Sequence, residues 1–342
     1  HIAPAEVKVL RFGLGIPTGT EGLMYPIPYA SALDNVRLAK EAERLGFDSV
    51  WGNDHMTVQN YVAAETSQPP NYYELLTVLT YIAASTQRIK LGTALLVLPF
   101  RNPVVVAKQV STMDQLSGGR VLLGVGIGAY REEFEAVFHG RRAHRGRMVE
   151  EGIRALRNLF DQEQSSFEGE SYCFKDIRSY PKPLQETLPI YSGGNSLGVR
   201  QRAAELCQGW LPAVLSPGEV ASGVDDINRF AESIGRDVSG HDIALQLTVT
   251  LGKTHEEALK KFHASHLYKH LESLKKSTLR DQQGGYEERN LIGTADDICE
   301  QVRSYQQAGV TTMAALLFTE PTVDETLETM QNFSRQVISN FE

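Results

Sequence analysis

Cysteine is scarce: three residues in 342, Cys173, Cys207 and Cys299, set far apart with no CxxC or Cys/His spacing among them. A disulfide framework and a knuckle-type zinc site are therefore not expected, and the count suits free thiols in a reducing compartment. No stretch approaches the roughly 20 consecutive apolar residues that a membrane-spanning helix needs. Positive charge is in deficit, with 34 Lys and Arg against 42 Asp and Glu and a formal net charge of −8. That balance leaves no broad basic face for nucleic acid. The one basic run, Arg141-Arg142-Ala143-His144-Arg145-Gly146-Arg147, reads more readily as the solvated entry to a helix than as a polyanion site. The start, His1-Ile2-Ala3-Pro4, has neither an apolar signal core nor an initiating Met, and is read as a trimmed start. The expectation is a cytoplasmic protein with no nucleic-acid and no membrane partner. No Ser/His/Asp or Cys/His grouping is legible in chain order, and no carboxylate/histidine set has metal-ligand spacing, so no metal is expected.

What is present is an alternation of short apolar runs and amphipathic stretches. Arg11 to Pro17 reads as a strand, and Tyr29 to Leu45 as a helix with apolar residues at Leu33, Val36, Ala39, Ala42 and Leu45, ended by Gly46. Phe47 to Trp51 is the second strand, 71 to 85 a helix, and Ile89 to Leu98 the third strand. Asn102-Pro103 opens a helix that Gly118-Gly119 stops. Val121 to Ile127 is the fourth strand and Arg145 to Phe160 its helix. Phe167 to Phe174 reads as a hairpin outside this rhythm. Strands at Pro189 to Ser192, Gly209 to Val214, Ile243 to Leu251 and Val310 to Phe318 alternate with helices at 197–206, 217–234, 295–307 and 323–338. Strict β/α alternation implies a parallel sheet with right-handed crossovers. Eight units predict a closed (β/α)8 TIM barrel, a single domain over 1–342, with an insertion after strand seven at about 256–289. A long insertion on that face is either a lid or substrate wall, or a solvated helical decoration.

In such a barrel the chemistry sits at the C-terminal ends of the strands. Strand two ends in Asn53-Asp54-His55. An imidazole titrates near neutral pH and suits proton transfer, although a structural histidine bonded to nearby backbone is the plainer reading. Asp54 either holds that imidazole in one tautomer or caps the loop. Strand four ends in Gly124-Val125-Gly126-Ile127-Gly128-Ala129; the spacing is GxGxG, so its content is only that something bulky approaches the backbone there. Strand five ends in Ser192-Gly193-Gly194-Asn195-Ser196 directly before a helix. That arrangement offers backbone N–H groups and a helix dipole to a phosphate, or is an ordinary βα turn.

Several segments, taken together and in order, resemble the bacterial luciferase-like monooxygenase family, including its branch that uses the deazaflavin coenzyme F420. They are GFDSVWGNDH (Gly46 to His55), RIKLGTALLVLPFRNPVVVAKQVSTMDQLSGGRVLLGVGIG (Arg88 to Gly128), REEFEAVF (Arg131 to Phe138), RGRMVEEGIRALRNLF (Arg145 to Phe160), LPIYSGGNSLGVRQRAAELCQGWLP (Leu188 to Pro212) and NLIGTADDICEQVRSYQQAGV (Asn290 to Val310). The resemblance implies a TIM barrel that binds F420, or alternatively FMN, at its C-terminal face. His55 matches the histidine beside the ring and is the implied catalytic residue, with Asp54 in the same wall. A non-prolyl cis peptide maps onto Ala94-Leu95, the pyrimidine-side edge onto Ile127-Gly128-Ala129, and the phosphate loop onto Ser192-Gly193-Gly194-Asn195. Implied partners are a small organic substrate, a separate flavin or F420 reductase, and a second copy in a homodimer. The sugar-phosphate dehydrogenases of that branch carry Glu and Trp where this chain has Ala129 and Gln59, which puts that substrate in doubt. The implied chemistry is hydride transfer with F420. Alternatives are a two-component FMN monooxygenase using O2, a non-catalytic flavin-binding subunit, and an unrelated barrel acting on a phosphorylated substrate.

Overall fold

The computed structural model describes residues 9–140, 143–274 and 285–341. Its strands are β1 (Arg11–Ile16), β2 (Ser49–Gly52), β3 (Lys90–Thr93), β4 (Leu96–Val97), β5 (Val121–Gly126), β6 (Ser165–Glu168), β7 (Cys173–Ile177), β8 (Ile190–Gly193), β9 (Gly209–Leu211), β10 (Asp242–Leu251), β11 (Leu291–Gly293) and β12 (Thr312–Phe318). β1, β2, β3, β5, β8, β9, β10 and β12 pair in that order, all parallel, and β12 returns to β1. The (β/α)8 barrel is therefore closed and has no free edge. β6 and β7 form the expected antiparallel hairpin outside it.

Local chemistry explains where the outer helices begin and end. Ser31 with Asp34, Ser216 with Glu219, and Thr294 with Asp297 each build a reciprocal capping box. Asn102 accepts from the Val104 N–H ahead of Pro103, and Gly118 closes that helix at φ 74°. Leu79, Val106, Ile153 and Ile298 on the outer helices are fully buried in one hydrophobic cluster with Val50, Leu91, Val121 and Ile190 of the strands.

Inside the barrel the packing depends on glycine. The Trp51 indole fills the lumen and donates to Ser49 Oγ at 2.8 Å. A Cβ on Gly13 would lie 2.5 Å from that indole, and one on Gly92 would lie 2.2 Å from it. Neither position accepts a side chain while Trp51 is there.

Three features differ from the sequence expectation. A short helix, Asn60–Glu65, precedes Leu75–Ser85, and a further helix, Arg131–Val137, stands between the fourth expected strand and its helix. The return of the insertion forms β11, which pairs in parallel with Val249 to Leu251. β9 pairs with β10 only at Asp242 and Ile243; β11 takes over the same edge further along. The insertion therefore leaves and re-enters beside the barrel mouth. Of it, helices His255–Ala264 and His266–Leu274 are described, and 275–284 lie outside the described residues.

Candidate functional site

At the exit of β2, three consecutive side chains perform three different tasks. Asn53 ties two strand ends together: its Oδ1 accepts from Gly19 N–H at 2.9 Å and from Thr18 Oγ1 at 2.9 Å, while its Nδ2 donates to Gly19 O at 2.8 Å. Asp54 turns away from His55. Its buried carboxylate accepts from both arms of the Arg101 guanidinium, at 2.5 and 2.9 Å, and from Val97 N–H at 2.8 Å. Burial alone would lower the Arg101 pKa, but the hydrogen bond and charge of Asp54 outweigh it and the pKa rises. Asp54 therefore fixes β4, the segment that follows the cis peptide Ala94-Leu95. Of its two sequence readings, it does not hold the imidazole.

That task falls to Glu133, on the helix Arg131–Val137. Its Oε2 lies 3.1 Å from His55 Nδ1, and its Oε1 accepts from the backbone N–H of Met56 and of Thr57. A carboxylate that collects backbone N–H donors in a buried position is an acceptor-only group, so His55 is assigned the Nδ1–H tautomer. Nε2 then carries the lone pair and has no protein hydrogen-bond partner among the described residues. The Gln59 side-chain amide also lies 3.1 Å from Nδ1 and 2.9 Å from Tyr72 Oη; with the Nδ1 proton in place, the amide is assigned with its oxygen toward the imidazole and its nitrogen toward Tyr72. Tyr72 and Tyr130 sit against the ring at centroid distances of 5.4 and 6.0 Å. Burial first, then neighbouring Tyr61, raises both phenol pKa values far above the usual range, so both remain neutral. His55 is thus held by one carboxylate within a neutral aromatic cage.

The glycines at the later strand ends have a different explanation from the one expected. Leu95, directly after the cis peptide, is boxed between β5 and β8: a Cβ on Gly126 would lie 2.3 Å from its side chain, and one on Gly193 would lie 1.9 Å from it. The bulky neighbour of these strand ends is a residue of the chain itself. Gly128, at φ 77°, makes the next turn and leaves Ile127 apolar and 41% exposed, with Ala129 following. Arg145 donates to the carbonyls of Ile127 and Gly128 at 3.2 and 3.1 Å; Arg141 and Arg142 of the same basic run lie outside the described residues.

In the predicted phosphate loop, Ser192 Oγ donates to Val199 O at 3.0 Å, and the Asn195 amide bonds both ways with the Ala213 backbone at 2.8 and 3.0 Å. Those side chains are engaged in holding the loop. Gly194, at φ 116°, turns the chain into the helix Leu197–Leu206, whose N-cap Ser196 makes no side-chain cap bond. A Cβ on Gly198 would meet nothing within 4 Å. The first turn of this helix is open to an anion through its backbone N–H groups.

A luciferase-like monooxygenase profile matches residues 10–312, most of the chain. The chain belongs to this family. It is 32% identical over 256 residues to an FMNH2-dependent dimethylsulfone monooxygenase of Pseudomonas putida, covering 73% of this chain and 68% of that one. It is 33% identical over 175 residues to an F420-dependent glucose-6-phosphate dehydrogenase of Kineococcus radiotolerans, covering 51% and 50%. A solved monooxygenase from Streptomyces bottropensis superposes with a TM-score of 0.79 over 97% of this chain and 100% of that one, at 21% identity, which bears on the fold. The family relatives are oxidoreductases, and an enzyme of that class is what this chain's luciferase-like barrel represents.

Sequence reasoning missed Glu133 and Arg101. Glu133 stands inside REEFEAVF, which the resemblance singles out without giving it a role, and it is 78 residues from His55. It also missed His270 of the insertion. Among the described residues, no helix is long and apolar enough to cross a membrane.

Proposed function

We propose that this chain is an F420-dependent oxidoreductase that exchanges a hydride with a small organic substrate, His55 moving the accompanying proton. The observation that carries this reading is the buried Glu133 carboxylate on His55 Nδ1, which leaves Nε2 as the free base. When bound, the deazaflavin supplies hydride-transfer chemistry. The residues fit such a group: the apolar edge at Ile127 suits a flat ring, the Ala94-Leu95 segment is locked by Asp54 and Arg101, and the open helix turn at Ser196 to Gly198 suits a phosphate. His55 Nε2 takes a hydroxyl proton when substrate is oxidised and returns it on reduction, and Glu133 stabilises the imidazolium between the two. Ala129 and Gln59 replace the acidic and tryptophan positions of the sugar-phosphate dehydrogenases, which argues against a sugar phosphate as substrate.

A second reading is favoured by the 32% identity to the dimethylsulfone monooxygenase. Here reduced FMN arrives from a separate reductase and O2 is the co-substrate. Both readings take the chain to be a cytoplasmic homodimer, which sedimentation of the purified protein checks. Fluorescence titration with F420 and FMN in both redox states, followed by oxygen uptake, separates the readings. The first expects tight F420 binding without oxygen consumption. Oxygen uptake dependent on reduced FMN would overturn it. Unchanged turnover in His55→Ala would remove the proton role.

A further inference from the structure

A cavity of about 120 Å³ lies at the barrel mouth, between the ends of β1, β10 and β12 and the insertion helix His266–Leu274. Its apolar lining includes Trp51, Ala94, Leu267 and Leu271. Among the described residues, no Lys, Arg, Asp or Glu contributes to it. Three of its lining residues nevertheless present buried polar atoms with no hydrogen-bond partner among the described residues: Thr20 Oγ1, Thr248 Oγ1 and His270 Nδ1. These residues are 1%, 3% and 7% exposed. They come from three separate parts of the chain: the loop after β1, strand β10, and the insertion.

Leaving a polar atom buried and unpaired is costly, and a protein seldom does so three times around one cavity without a use for it. The Thr248 backbone N–H donates to Asn290 Oδ1 at 2.8 Å, while its hydroxyl has no partner among the described residues. The β10–β12 register shifts between Gln246 and Thr248, the kind of irregularity that re-aims a side chain. His270 lies within electrostatic reach of His55, and burial first, then His55, pushes its pKa down to about 3. It therefore meets a ligand as a neutral hydrogen-bonding ring and offers no charge to an anion.

We propose that Thr20, Thr248 and His270 form the substrate-recognition subsite, and that it takes a compact neutral molecule carrying one or two oxygen functions, an alcohol, ketone or similar, with no phosphate or carboxylate. The inference rests on the oxidoreductase reading above for the word substrate; the binding claim stands on the cavity itself. Size sets the upper limit: a cavity near 150 Å³ holds benzene, with six non-hydrogen atoms, so about five fit here. The two threonines can each donate or accept, and His270 completes the set. A hydrocarbon of the same shape would leave all three unpaired, and polar recognition of this kind discriminates far better than apolar fit.

The test uses the purified chain with butanone and 2-butanol as probes, glucose 6-phosphate as the anionic comparison, and ligand-observed NMR as the readout. Thr20→Val, Thr248→Val and His270→Phe keep volume close to the original while removing the polar atom. The wild type is expected to bind both neutral probes and not the phosphate. Each threonine variant is expected to lose roughly tenfold in probe affinity, a change typical of one buried hydrogen bond. Because the hydroxyls are unpaired in the free protein, Thr20→Val and Thr248→Val are expected to unfold at the same temperature as wild type or higher, which a structural role would not allow. F420 and FMN titrations of the same variants are expected to be unchanged. Neutral probes that bind all variants equally, or fail to bind wild type, would overturn the subsite, as would competition by glucose 6-phosphate. Probe binding that depends on the threonines in a protein that takes up neither F420 nor FMN would instead sink the cofactor reading and leave the subsite standing.

Discussion

Replacing Asp54 by Asn removes one charge from a buried pair while keeping its shape. The side chains of Asp54 and Arg101 are 1% and 10% exposed, and two hydrogen bonds join them. Breaking such a pair costs about 3–5 kcal/mol, because the remaining charge stays buried without its counterion. Glu74 lies 3.2 Å from Arg101 and offers partial compensation, but it is 40% exposed, so the lower end, about 3 kcal/mol, is expected for Asp54→Asn. Arg101→Met leaves the Asp54 carboxylate with the Val97 N–H alone and should cost at least as much. The double variant buries neither charge, and its loss should fall short of the sum by about 2 kcal/mol or more. Urea midpoints, followed through buried Trp51 and Trp210, supply the four corners of the cycle. Cofactor titration of the same proteins should weaken in step with stability, since Asp54 acts through β4. Additivity within about 0.5 kcal/mol would refute the pairing argument. Cofactor binding lost at full stability in Asp54→Asn would show instead that Asp54 touches the ligand.

Glu133→Gln should lower turnover by roughly 10²–10³-fold with little change in KM, as expected for a group that orients a general base; an unchanged rate would remove Glu133 from the site. His270 gives a pH prediction. Its folded pKa, about 3 against a usual 6.5, means that the unfolded chain binds more protons between those values. Stability from this group is complete above pH 6.5 and falls by about 1.4 kcal/mol per unit on acidification until about pH 3. Denaturation midpoints of His270→Phe should therefore fall less steeply from pH 6.5 to 4.5 than those of wild type, and parallel curves would contradict it. Gly193→Ala should destabilise by about 1–3 kcal/mol through Leu95, and adding Leu95→Ala should recover part of that loss in thermal melts. With a thiol reagent, exposed Cys173 should react in the native protein. Cys207, buried and pushed up to about 12, and Cys299, raised by burial, should react only after denaturation.

Much of the architecture can be read from sequence because it depends on local chemistry. The Asn102-Pro103 start and Gly118 stop of one helix, and the Ser216-Pro217 start of another, are written in consecutive residues. The β/α alternation then leaves few topologies open. β11 escaped because three residues carry no period of their own; Leu291 to Gly293 is a strand only because β10 offers it an edge.

The site divides along the same line. His55 at a strand end, the glycine turn before Leu197, and the family resemblance all follow from the order of residues along the chain. Which carboxylate serves His55 does not. Asp54 is its neighbour, yet Arg101, 47 residues away, claims Asp54, and Glu133, 78 residues away, reaches the imidazole. Gly126 and Gly193 look like ligand-contact glycines until Leu95 is found packed between them. Local propensities and hydrophobic period are sums over neighbouring residues, so the sequence by itself determined the barrel and the strand end on which His55 stands. Pairing of buried charges and the emptiness beside Thr20, Thr248 and His270 depend on what distant segments bring to one point, and only the closed tertiary structure decided them.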